Sequence, residues 1–123
     1  MFDIMRNDMV GNKHYVLGWI SLRICGETDA LLGMQRYAPS CFIELSLVGS
    51  PAAESVVALL QTKAINAGGI LHWGQANDQL TYLSLEKIYG AQTLAAWRNV
   101  RQHVVGQGQG SVFDNNFTAR CGL

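Results

Sequence analysis

"CFIELSLVGSPAAESVVALLQTKAINAGGILHW", residues 41–73, changes period twice in a single run. Over 41–48 Ile43, Leu45 and Leu47 share one side, and Phe42, Glu44, Ser46 and Val48 share the other. A spacing of two is that of a half-buried strand. Beyond Gly49 the spacing becomes helical. Ser50 is a hydroxyl suited to capping a helix start, Pro51 has the fixed φ of a first helical residue, and Glu54 sits near the positive end of the helix. Val56, Val57, Leu60 and Ala64 recur at helical offsets until Gly68-Gly69 stop them. The spacing predicts a helix over 51–66 and a short strand over 70–73.

The same reasoning extends outward. "YVLGWISLRIC", residues 15–25, alternates as a strand: Ile20, Leu22 and Ile24 on one face, Trp19, Ser21, Arg23 and Cys25 on the other. Residues 26–40, with Gly26, Gly33 and Pro39, read as a connection. Residues 79–89 read as a short helix, and Gly90 separates it from a longer one over 91–105 anchored by Trp97. The tail reads as loop, with Phe113 and Phe117 as anchors. The expected fold is α+β, a mostly antiparallel sheet with helices packed on one face, plus a C-terminal tail. Its parts are a loosely tied segment 1–14, an α+β body 15–105 and a tail 106–123.

The composition bounds the function. Of 123 residues 49% are hydrophobic, enough for a core, and only 15% are charged, which suggests that part of the surface is normally covered. Nine basic and nine acidic residues cancel, so no charge footprint points to nucleic acid or an anionic membrane. The N-terminus lacks the apolar stretch of a signal peptide, and no apolar run reaches the length of a membrane span. Three cysteines without C-x-x-C spacing read as free thiols in a reducing, cytoplasmic setting rather than as a disulfide framework or a metal site.

The two strands have one feature in common. Each has an aliphatic face and a face with isolated polar groups. If helices cover the aliphatic faces, Ser21, Arg23, Glu44, Ser46 and His72 gather on the other, which is then either wet or set against a ligand. Arg23 and Glu44 read equally as a cross-strand ion pair. Glu44 is either a substrate-side acid or the partner of the arginine. His72 is either a site residue or a histidine bonded to backbone, and Trp73 belongs to the core.

"GWISLRICG", "CFIELSLVG", "GGILHWGQ" and "FDNNF" come in an order and spacing that resemble the C-terminal region of FAD-linked oxidases of the vanillyl-alcohol-oxidase-like superfamily. The sugar-alcohol and aldonolactone oxidase branch is the nearest in pattern. The resemblance runs from about residue 17 onward. It implies a substrate or cap domain whose partner, an FAD-binding domain with the glycine-rich pyrophosphate loop, precedes it. "GQGQG" at 106–110 follows a predicted helix and is no dinucleotide fingerprint. The resemblance implies catalytic roles for Arg23 and His72 and substrate contacts for Ser46. It implies flavin contacts for His72 and Asn115.

Two positions depart from the family pattern: Ser21 stands where an acid is usual, and Gln75 where a lysine often follows His-Trp-Gly. Both remain candidate substrate contacts with Glu44, and the departures point to a different or more apolar alcohol. The implied activity is hydride transfer from an alcohol to flavin, with the chain inactive by itself. The rival expectation is a free-standing α+β small-ligand-binding or dimerisation module, and self-association through the exposed sheet face is expected under either.

Overall fold

The computed structural model describes residues 6–7, 19–106 and 110–123. The predicted segments 1–14 and "GQGQG" fall mostly outside them. Among the described residues two strands, β1 (Ile20–Cys25) and β2 (Ser40–Leu45), form an antiparallel hairpin in which Ile20 faces Leu45, Ser21 faces Glu44, Leu22 faces Ile43 and Arg23 faces Phe42. This register keeps the period of two intact across both strands, so aliphatic and polar side chains segregate to opposite faces.

Helix α1 spans Pro51–Asn66, as its capping residues predict: the Ser50 Oγ accepts the Ala53 N–H at 3.1 Å. Its Val56 packs against Ile43 and Leu45 of the hairpin and against Leu60 one turn on, and near its end Ile65 reaches a second, larger core. Helices α2 (Tyr82–Tyr89) and α3 (Ala91–Val105) meet at Gly90, whose φ of +83° is costly for any residue with a Cβ. With α4 (Asn116–Cys121) they enclose Leu80, Leu85, Tyr89, Leu94 and Cys121. The fold is α+β, with α1 on the aliphatic face of the hairpin.

Four expectations are corrected. Residues 70–73 do not form a strand; Ile70 and Leu71 both pack on the main core from an irregular segment, so alternation has no meaning there. The tail is not loop but a 3-10 turn, Gly110–Phe113, followed by α4. Leu94, fully buried, anchors α3 in place of the half-buried Trp97. Finally, helices cover the aliphatic face only on the β2 side: Ile20, Leu22 and Ile24 remain 41, 50 and 69% exposed.

Phe117 and Leu123 pack against the main core while Phe113 stays exposed. Arg98 Nε donates to Gly122 O at 2.6 Å, and Arg101 pairs with Asp114. Among the described residues no helix is long and apolar enough to cross a membrane.

Candidate functional site

The hairpin register assembles the polar cluster. Ser21 sits opposite Glu44, and its Oγ donates to Glu44 Oε2 at 2.9 Å. Arg23, one pleat along on the same face, reaches diagonally so that its Nη2 donates to the same oxygen. The side chains stay open to solvent, Arg23 at 67% and Glu44 at 49% exposure. The hydrogen bond from Arg23, then that from Ser21, then the charge of Arg23 hold the Glu44 carboxyl below the ordinary glutamate value.

These facts narrow what the cluster can do. A carboxyl held below its ordinary value is ionised at neutral pH and is a weak base. Glu44 therefore serves as the partner that orients Arg23 and Ser21. The guanidinium has five N–H donors, and Glu44 Oε2 takes only Nη2.

His72 lies in the turn that follows the irregular segment and is exposed. Its Nδ1 accepts the Gly74 N–H at 3.0 Å. Gln75 closes the turn through its N–H to His72 O at 3.3 Å, with its side chain exposed. Ser46 extends the ladder, its N–H donating to Trp19 O at 3.4 Å, and is half-buried. Asn115 acts locally, since its Oδ1 accepts Phe117 N–H at 2.9 Å and Thr118 N–H at 3.1 Å and so caps α4. The structure thus brings Ser21, Arg23 and Glu44 into contact, keeps the His72 ring bonded within its own turn, and commits Asn115 to a helix end.

Sequence reasoning missed Asn77 and Arg120. Asn77 is 8% exposed, and its Nδ2 donates to Trp73 O at 2.9 Å and His72 O at 3.4 Å. Arg120 Nη2 donates to Asn77 Oδ1 at 3.1 Å and Asn77 O at 3.2 Å, while its Nε donates to Leu80 O at 2.8 Å. The Asn-Asp pair directly after His-Trp-Gly-Gln-Ala was the available signal, since asparagine side chains commonly bond nearby backbone in turns. Trp73 stacks on Tyr89 with centroids 6.2 Å apart and meets Phe117 edge-on at 5.6 Å, confirming it as a core residue.

Among the described residues no three His, Cys, Asp or Glu side chains converge as a metal site. No protein-family model, curated protein or solved structure matches the chain.

Proposed function

We propose that the chain is the substrate-side unit of a flavin-dependent enzyme that oxidises an alcohol group, working with an FAD-binding unit. What supports the reading is one arrangement: Ser21 and Arg23 converge on Glu44 Oε2 on an open sheet face. Guanidinium, hydroxyl and imidazole suit a flavin ring edge and a substrate oxygen. A diphosphate fits poorly: the strand-to-helix turn before α1 carries a single glycine, and Ser50 already caps that helix. The diphosphate therefore belongs on the FAD-binding unit.

Bound FAD supplies the acceptor for the hydride. The chain's own residues orient the alcohol and manage charge at its oxygen. Arg23 would hold a cation beside the alcohol oxygen as the O–H proton passes to solvent water on this open face and the hydride to the flavin, and Glu44 keeps that cation in place. Ser46 and Gln75 are substrate contacts in this reading, and Asn115 acts from the α4 cap. The test is to purify the product of the whole reading frame and assay polyols, aldonolactones and sterols. Oxidation of one class with reduction of bound flavin is expected; a product that carries no flavin defeats the reading. Residues 1–123 alone are expected to purify without stoichiometric flavin.

One observation favours a second reading, a free-standing small-ligand-binding or dimerisation module: the open aliphatic row Ile20, Leu22 and Ile24. Exposed contiguous apolar surface commonly marks an association site. Sedimentation of the chain over a wide concentration range tests association through this row. A dimer dispersed by Leu22→Lys supports association through this row, and a concentration-independent monomer removes it.

A further inference from the structure

We infer that Asn77 and Arg120 are positioning residues for His72, and that they present its ring as a hydrogen-bond donor through Nε2–H. The inference rests on the reading that His72 faces the reacting alcohol. An imidazole nitrogen that accepts a hydrogen bond carries no hydrogen. With Nδ1 taken by the Gly74 N–H at 3.0 Å, the neutral ring bears its hydrogen on Nε2. The ring atom left to a ligand is then a donor, matched to an acceptor oxygen such as a carbonyl or an incipient alkoxide.

That donor is useful only if the turn is held. The Nδ1 bond closes over two residues, so it depends on the backbone of 72–74. Asn77 ties that backbone down from inside the protein, donating to the carbonyls of both Trp73 and His72. Its own Oδ1 is occupied by Arg120, whose Nε is anchored on Leu80 O. A largely buried amide with both ends used has one orientation. A second, apolar contact from α4 reaches the same turn: the Phe117 ring meets Trp73 edge-on with centroids 5.6 Å apart. Helix α4 therefore sets the turn through two independent contacts.

The test uses the full chain labelled with ¹⁵N. In the unaltered protein we expect a Nδ1 without hydrogen, a protonated Nε2, a through-hydrogen-bond coupling between Gly74 N and His72 Nδ1, and slow exchange of the Gly74 amide. Asn77→Asp keeps an oxygen for Arg120 and removes both N–H donors. It should abolish the coupling and speed Gly74 exchange about tenfold while the Leu85 amide, bonded to Thr81 O within α2, keeps its protection. Arg120→Lys, which cannot reach Leu80 and Asn77 together with the same geometry, should do so in part and decides the matter if Asn77→Asp does not fold. A ring protonated on Nδ1 in the unaltered protein, or an unchanged coupling in a folded variant, overturns the inference. Failure to detect alcohol oxidation leaves these spectra unaffected and counts against the flavin reading alone.

Discussion

At the scale of single residues, the site rests on two commitments: Glu44 to Arg23 and Ser21, and His72 Nδ1 to Gly74. The first was legible as one of two readings of Glu44: a period of two puts 21 and 23 on one face of β1 and 44 on the polar face of β2, and the antiparallel register joins them. The second was not, because it depends on a turn whose conformation is fixed from elsewhere. Under the proposed alcohol oxidation, Arg23→Ala should lower turnover by about a hundredfold with flavin retained, the scale of losing one preorganised electrostatic group. Unchanged turnover removes Arg23 from the chemistry. His72→Gln keeps a donor but not a base, so it should retain more activity than His72→Ala; equal losses favour a proton-transfer role. The Glu44 pair also sets a pH dependence. Its folded carboxyl lies below the ordinary value, so its stabilising contribution is present above that value and is lost as acidification carries it through the lowered midpoint. Carboxyl NMR titration should show the Glu44 midpoint rising toward the ordinary value in Arg23→Ala.

At the scale of elements, legibility followed locality. Helix α1 was readable to its ends because Ser50, Pro51 and the Gly68-Gly69 stop act on their immediate neighbours. The expected strand at 70–73 failed because a strand needs a partner; Ile70 and Leu71 instead fill the core from irregular backbone. Helix α4 was missed because Asn115 was assigned to cofactor contact, whereas its Oδ1 caps two N–H groups. Asn115→Ala should cost about 1 kcal/mol of stability, as lost caps do, and Asn115→Asp should retain most of it. Denaturant midpoints for the two variants measure this. Equal stability of all three proteins returns Asn115 to the pool of residues free to meet a ligand.

At the scale of the molecule, α1 joins a thin hydrophobic patch under the hairpin to a fuller core built from the C-terminal half. The connection 26–39 is tied to that core by Tyr89, which is 3% exposed and donates through its OH to Gly33 O at 3.2 Å and Leu32 O at 3.5 Å. Burial pushes the Tyr89 phenol up to about 12, against an ordinary value of 10.0, although Arg36 lies over its ring. A raised folded value means that the native state holds its proton after the unfolded chain has released it. The contribution is therefore complete below pH 10 and fades as pH climbs from 10 toward 12, with roughly 3 kcal/mol at stake. Guanidinium denaturation at stepped alkaline pH should show stability falling through this window. In Tyr89→Phe the starting stability should be lower, through loss of the OH bonds, and the alkaline fall shallower. The same slope in both proteins would assign the alkaline limit to other groups and leave Tyr89 as a packing residue only.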